Sequence, residues 1–246
     1  KAAASDMRLC APLEEGAATV CNSELSGITV HARRGPCGKR LLRAGRFLLA
    51  RILQHHKPQH DDRPEEAADE GGAEALHDEP IAAVYASDLL RAFETAEAVA
   101  RTRGQSVTRH PGLRERCFGD FEGHTWTELE QKFPEASLAW RKRVPDFAPP
   151  GGESLLQLEA RVVPAVEEIA ARHPGEQILI VAHGGVLDIL YRAATRLSLQ
   201  APRSWELTNT AINRLLWSPE GLSLVGWADT SHLQIRTAPA LDERHA

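Results

Sequence analysis

The sequence has little of what marks a membrane protein, a secreted protein or a nucleic-acid-binding protein. No apolar run reaches the ~18 residues that a membrane-spanning helix needs, and the first residues lack the apolar segment of a signal peptide. The formal net charge is -5, so the basic excess typical of a nucleic-acid-binding surface is missing. We therefore expect neither a membrane nor a nucleic acid as partner. Small anions remain possible ligands, because the local charge of a pocket matters more than the total charge.

Cysteine is also scarce and does not form a recognisable pattern. The four cysteines show no C-x-x-C pair and no spacing typical of a metal site; they are Cys10, Cys21, Cys37 and Cys117. Reduced thiols of this kind are typical of cytoplasmic proteins. The sequence therefore predicts a cytoplasmic protein in which the cysteines carry no structural bridge.

Residues 54–80 form a polar, acidic stretch that contains His55, His56 and His60. Such a cluster could hold a metal ion, or it could be a solvated insertion. Pro58 interrupts any helical pairing of His56 with His60, so the pattern favours the solvated insertion. No metal and no other cofactor is predicted.

From residue 81 onward, strand-like runs alternate with helical patterns, which is typical of β-α-β units on a mostly parallel sheet. The predicted strands are 81–86, 178–182, 211–217 and 222–227, and the predicted helices are 89–101, 126–143 with a break at Pro134, 154–172 and 186–196. Ser87 and Asp88 are good cap residues for the first of these helices. Ser154 and Gln157 have the spacing of a capping box, while Pro164 predicts a kink or a late start for that helix.

The first 80 residues are harder to interpret. A first strand is predicted at 27–32 and an arginine-rich helix at 41–53. The expected organisation is an N-terminal extension over 1–26, a single α/β domain over 27–235 with an insertion at 54–80, and a tail over 236–246.

The turn His183-Gly184-Gly185 follows directly after the apolar run at 178–182. It would lie where a buried strand meets a helix N-terminus, at the edge of the sheet where ligands bind in α/β proteins. Exposed N–H groups and the helix dipole favour an anion there, and the two glycines let it approach closely. A lone histidine is usually structural, but this context indicates a phosphate-binding site.

Two further side chains would lie near the same edge. Arg91 occurs in the first turn of the helix that follows strand 81–86, and a guanidinium matches phosphate oxygens. It could instead be a surface arginine paired with Glu94 or Glu97. Glu115 stands in a glycine-rich loop, where a partly desolvated carboxyl can donate a proton to a leaving alkoxide. Glu122 in the same loop is the competing carboxylate.

The motifs ASDLLRAFETA, GLRERCFGDFEG, PPGGES, ILIVAHGGVLDIL and TNTAINRL follow one another in this order. This combination resembles the histidine phosphatase superfamily, the phosphoglycerate mutase-like proteins, over residues 81–233. The resemblance implies a three-layer α/β/α sandwich and metal-independent phosphoryl transfer on a small phosphorylated metabolite through a phosphohistidine. It further implies that Arg91 and Gly184 bind phosphate, that Glu115 is the general acid and then the base, and that His183 supports the transferring phosphoryl group.

The nucleophile that the resemblance implies is not evident. The family has Arg-His-Gly at the end of its first strand, and the best match is Arg33-Arg34-Gly35. This places Arg33 among the phosphate ligands and Arg34 at the nucleophile position, where a protonated guanidinium cannot act. His31 is the alternative nucleophile, but it precedes Arg34 by three residues, roughly 10 Å along an extended strand, and this distance disfavours it.

Two explanations of the missing nucleophile stay open. The chain is a degenerate member that binds phosphorylated ligands without turnover, or its first 80 residues are a frameshifted reading of the gene. Within the family, the short loop after Glu115 and the compact stretch PDFAPPGGES favour a phosphatase over a mutase. No oligomeric state is predicted.

Overall fold

The computed structural model describes residues 73–234, together with the backbone of residues 45–51. The predicted strand at 27–32, the histidine-rich stretch of 55–60 and the C-terminal tail lie outside the described residues. His31, Arg33 and Arg34 lie outside them as well, as do the first three cysteines. Cys117 is described, and its thiol is free and exposed.

Strands and helices alternate through most of the described chain. The strands are β1 (Gly45–Arg51), β2 (Ile81–Ala86), β3 (Val107–Arg109), β4 (Gln177–Ala182), β5 (Ile212–Ser218) and β6 (Gly221–Asp229). The helices are α1 (Leu90–Thr102), α2 (Trp126–Lys132), α3 (Pro134–Arg141), α4 (Leu155–Ala171), α5 (Gly184–Thr195) and α6 (Ser231–Gln234). Short 3-10 turns occupy Pro111–Leu113 and Gly119–Phe121.

The strands form one sheet in the order β3-β2-β4-β1-β5-β6. β3, β2, β4 and β1 run parallel to one another, whereas β5 pairs antiparallel with both β1 and β6. β4 therefore lies inside the parallel part of the sheet, as its continuous apolar sequence predicts for a strand that is covered on both faces.

The side chains of β4 alternate between two hydrophobic cores. Ile178 and Ile180 pack in the core that holds the apolar faces of α4 and α5, while Leu179 and Val181 pack in the core that holds α1. All four side chains are fully buried. Because each face of the sheet is covered by helices, the fold is a three-layer α/β/α sandwich, and the predicted fold class is confirmed.

Several local signals in the sequence act as predicted. Ser154 caps α4, since its Oγ accepts a hydrogen bond from the Gln157 N–H at 3.1 Å and the Gln157 side chain accepts one from the Ser154 N–H at 2.8 Å. Pro134 separates two helices and is the first residue of α3, where a missing N–H costs no hydrogen bond.

Pro164 lies inside α4, which begins at Leu155. The prediction that this helix starts late, near Pro164, was therefore wrong.

The predicted helix at 41–53 was wrong, because its central residues form strand β1. The backbone of β1 pairs with β4 on one side and with β5 on the other. A short apolar run does not by itself distinguish a buried strand from a helix segment, and the flanking arginines suggested an amphipathic helix. The two neighbouring strands, which the local sequence does not contain, decided the outcome.

The start of α1 also differs from the prediction. Ser87 and Asp88 were expected to cap this helix, but its N-cap residue is Leu89, which has no capping side chain. Asp88 instead accepts two hydrogen bonds from the Arg114 guanidinium, at 2.7 and 2.5 Å.

Across the described part of the chain, no helix has the length and apolar character to cross a membrane.

Candidate active site

His183 stands between β4 and α5, as the N-cap residue of the helix. Gly184 and Gly185 are the first two helical residues, so their N–H groups have no partner within the helix. The His183 side chain is buried, at 2% exposure. Within the described part of the chain its Nε2 atom has no hydrogen-bond partner. A buried polar atom of this kind is uncommon in proteins, and its hydrogen-bonding capacity is available to a ligand oxygen.

The surroundings of His183 keep its ring neutral. The pKa of His183 is lowered to about 3, first by burial and then by the charges of Arg91 and Arg161, while Asp88 opposes them. The nearby charges that act on the ring are thus mainly positive, with Arg91 acting more strongly than Arg161. An anion placed there would be attracted, and it would make protonation of the ring more favourable.

Arg91 is the second residue of α1 and is half-buried. Its Nε atom is buried and, among the described residues, has no hydrogen-bond partner. Its charge is the first of those that act on the His183 ring. The structure therefore places Arg91 within electrostatic reach of His183, and each of the two side chains carries an unpartnered nitrogen.

Glu115 is joined directly to the same helix start. The N–H of Gly185 donates to both carboxylate oxygens of Glu115, at 3.1 Å each, and the Arg116 N–H donates to Oε1 at 2.8 Å. Glu115 is buried, at 9% exposure. A Cβ atom on Gly185 would overlap Oε1 of Glu115 and lie 3.3 Å from Cδ, so the close contact requires glycine at this position.

The competing carboxylate has a different environment. Glu122 is exposed, and its Oε1 accepts a hydrogen bond from the Phe118 N–H at 3.2 Å. It therefore closes the turn that contains Gly119, whereas Glu115 reaches the start of α5.

Sequence reasoning missed Arg161 on α4. Its guanidinium forms a forked ion pair with Glu153, with both N···O distances at 2.8 Å, and its charge acts on His183. Glu153 belongs to the PPGGES segment, and Arg161 lies two helical turns further on. A carboxylate before a helix and an arginine on that helix were the available signal, but many solvated helices share it.

The end of β1 lies beside His183. Arg51, the last residue of β1, is opposite Ala182, which immediately precedes His183. None of the seven residues of β1, GRFLLAR, is a histidine. The central strand of the described fold therefore offers no histidine nucleophile, and the positions first considered for it lie outside the described residues.

The buried, neutral His183 makes stability depend on pH. A histidine whose pKa is lowered in the folded state contributes stability above its ordinary pKa near 6.5, and this contribution is lost as the pH falls towards 3. The free energy of unfolding should therefore drop below pH 6.5 by up to about 1.4 kcal/mol per pH unit. Urea unfolding between pH 7 and 4 measures this. His183→Gln should flatten the slope and the exposed control His77→Gln should not; an equal slope in all three proteins would contradict the prediction.

A family model connects this geometry to known proteins. Residues 65–230 match the model of the histidine phosphatase superfamily, branch 1. The chain belongs to this superfamily. The resemblance drawn from the motifs is confirmed, and the matched region covers the whole described site but not β1.

Curated relatives in the superfamily include phosphatases and mutase-like proteins. The chain is 39% identical over 153 residues to a metal-independent phosphoserine phosphatase of Arabidopsis thaliana, covering 61% of this chain and 63% of that protein. It is 38% identical over 160 residues to phosphoglycerate mutase-like protein 4 of the same plant, covering 64% and 68%. The match thus spans slightly less than two thirds of the first relative and slightly more of the second.

Two solved structures share the fold of this chain. YhfR of Bacillus stearothermophilus superposes with a TM-score of 0.69 at 28% identity, covering 77% of this chain and 99% of that one. A mycobacterial glucosyl-3-phosphoglycerate phosphatase in complex with inorganic phosphate gives a TM-score of 0.64 at 28% identity, covering 76% and 98%. The names of these relatives support phosphatase activity in the family.

Proposed function

We propose that this protein hydrolyses small phosphomonoesters without a metal ion, at the site formed by His183, Arg91 and Glu115. The observation that carries the proposal is the pair of buried nitrogens without a partner among the described residues, His183 Nε2 and Arg91 Nε, with the charge of Arg91 acting on the His183 ring. A phosphoryl group offers the oxygens that both nitrogens need. Because Arg91 supplies positive charge and His183 supplies a hydrogen-bonding nitrogen, the proposed chemistry requires no metal.

Each residue has a role that follows from its placement. Arg91 binds phosphoryl oxygens through its guanidinium, and His183 hydrogen-bonds the transferring group, with the N–H of Gly184 at the helix N-terminus as a further donor. Glu115 donates its proton to the leaving alkoxide as the P–O ester bond breaks. In the finer form of the proposal the phosphoryl group passes to a ring nitrogen of a second histidine, while His183 remains the supporting donor. Water, deprotonated by Glu115, then releases it as phosphate.

Hydrolysis is favoured over mutase chemistry by the compact segment between Glu115 and α4. A mutase must retain the phosphorylated product and return the phosphoryl group to a second hydroxyl, which requires a more enclosed site. Glycolytic mutases carry a longer insertion in this segment. The short segment of this chain supports release to water.

A second function is favoured by the sequence of β1. Since GRFLLAR contains no histidine and ends beside His183, the site could bind phosphorylated ligands without turning them over. This alternative uses the same cradle of Arg91 and His183 and differs only in the absence of a phosphoryl acceptor.

Hydrolysis of p-nitrophenyl phosphate in EDTA distinguishes the two functions. We expect phosphate release that resists EDTA and a phosphoenzyme that can be trapped with labelled substrate; His183→Ala should lower turnover by about 100-fold or more, as for the loss of a donor to a developing anion. If His183→Ala released phosphate as fast as the unaltered protein, the proposed site would be contradicted. Phosphate-dependent thermal stabilisation without hydrolysis would support the binding function. If the protein showed neither stabilisation nor hydrolysis, both functions would be excluded.

A further inference from the structure

The Arg161 side chain connects α4 to the loop that carries Glu115. Its Nη1 donates to the backbone oxygens of Gly112 and Arg114 at 3.0 and 2.8 Å, and its Nη2 donates to the backbone oxygen of Glu115 at 3.0 Å. Together with the forked ion pair to Glu153, one guanidinium thus binds three carbonyls of a single four-residue segment.

We propose that Arg161 is the positioning residue for Glu115, holding its carboxylate at the start of α5. The inference rests on the proposed function in one respect, that Glu115 is the group that protonates the leaving alkoxide. The hydrogen bond from Arg161 to Glu115 is to its backbone oxygen. Arg161 acts through the backbone of residues 112–115, from which the Glu115 side chain extends to Gly185.

The geometry suits arginine and no other residue. A guanidinium has five N–H donors in a rigid plane, so it can serve three carbonyls and a carboxylate at once. A lysine has the charge but a single nitrogen, which cannot reach acceptors on two sides. Glu153 balances the charge of the half-buried Arg161, with side-chain exposures of 15% and 27%.

The same loop is held from a second side, which makes it rigid. The Arg116 Nε donates to the backbone oxygen of Glu153 at 2.7 Å, and its guanidinium lies 3.9 Å above the Trp140 ring. Arg161 and Arg116 therefore converge on Glu153, one on the side chain and one on the backbone. Removing Arg161 would leave the Arg116 contacts intact and release the segment before Glu115.

The loss of Arg161 should slow the hydrolysis of some substrates much more than that of others. A proton donor that is displaced by about 1 Å loses about 100-fold in rate, but only where the leaving group needs the proton. An alkyl phosphate has a poor leaving group and depends on the acid, whereas p-nitrophenolate leaves without help. A loss confined to alkyl phosphates therefore distinguishes a positioning role from a general structural one.

The test compares Arg161→Gln and Arg161→Lys with Arg172→Gln, an exposed arginine at the end of the same helix that pairs with Glu168. The first readout is the NMR signal of the Gly185 amide, which donates to Glu115, with Glu115→Ala as the reference for loss of the carboxylate. The second is kcat/KM on an alkyl phosphomonoester and on p-nitrophenyl phosphate. Thermal unfolding checks that each variant is folded.

We expect the Gly185 amide signal to move towards its Glu115→Ala position in Arg161→Gln, and partway in the milder Arg161→Lys. We expect kcat/KM to fall about 100-fold for the alkyl phosphate and by less than about fivefold for p-nitrophenyl phosphate, with Arg172→Gln unchanged. An unmoved amide signal, or an equal loss on both substrates, would overturn the inference. If the unaltered protein hydrolyses neither substrate, the proposed function fails, and the amide signal alone decides whether Arg161 positions Glu115.

Discussion

Replacing Arg91 with glutamine is expected to weaken the binding of inorganic phosphate by about 100-fold, equivalent to roughly two charge-assisted hydrogen bonds. The physical reason is that the buried Nε of Arg91 has no partner among the described residues, so its hydrogen bond is available to a ligand. Glutamine keeps an amide donor but loses the charge and the fork. Isothermal titration with phosphate and with vanadate measures the change, and turnover should fall with it.

A second measurement separates the loss of binding from a loss of folding. The charge of Arg91 lowers the pKa of His183, so Arg91→Gln should raise that pKa, which NMR titration of the imidazole detects without any substrate. The matched control is Arg101→Gln, on the same helix but exposed, where the guanidinium contacts only the Glu97 backbone oxygen in the described structure. Unchanged phosphate affinity in Arg91→Gln, with the fold intact, would remove Arg91 from the site.

Replacing Gly185 with alanine is expected to lower turnover of alkyl phosphates by about 100-fold while leaving the protein folded. The added Cβ would overlap the carboxylate of Glu115, and the carboxylate, at the end of a flexible side chain, can rotate away. The fold loses little, because alanine is a better helix former than glycine. The proton donor, however, leaves the start of α5. Paired measurements of kcat/KM and of the free energy of unfolding test both parts.

Gly226→Ala provides the control for this substitution. Gly226 lies on β6, where an added Cβ would meet the Arg214 side chain at an ordinary 3.9 Å. We expect this variant to keep its activity. A large drop in unfolding free energy for Gly185→Ala, in proportion to its loss of activity, would contradict the view that glycine is needed at this position for the approach of Glu115.

The Glu115–Gly185 contact illustrates which parts of the site could be predicted. The strand–His–Gly–Gly–helix pattern is local, so it placed His183 at the N-terminus of α5 correctly. Glu115 was also expected near this edge, but no local pattern predicts its contact with Gly185, because the two hydrogen bonds from Gly185 span 70 residues of sequence. Arg161 was missed for the same reason, since its partners at 112–115 have no local signature on α4.

β1 shows the opposite failure. Its arginines and leucines are compatible with an amphipathic helix, and no feature within 41–53 contradicts that interpretation. The conformational entropy that a buried strand loses on ordering is offset only when partners on both sides satisfy its backbone N–H and C=O groups. Those partners, β4 and β5, lie more than 120 residues further along the chain.

The sequence by itself determined the α/β class, the boundaries of β2, the position of β4, the capping of α4 and the superfamily, because hydrophobic period, capping residues and motif order are local properties. Only the tertiary structure decided the identity of β1, the partners of Glu115 and the contribution of Arg161. These depend on which backbone groups and charges meet across the sheet edge. His183 shows both contributions, since its position is local, whereas its neutral ring results from burial and from charges on α1 and α4.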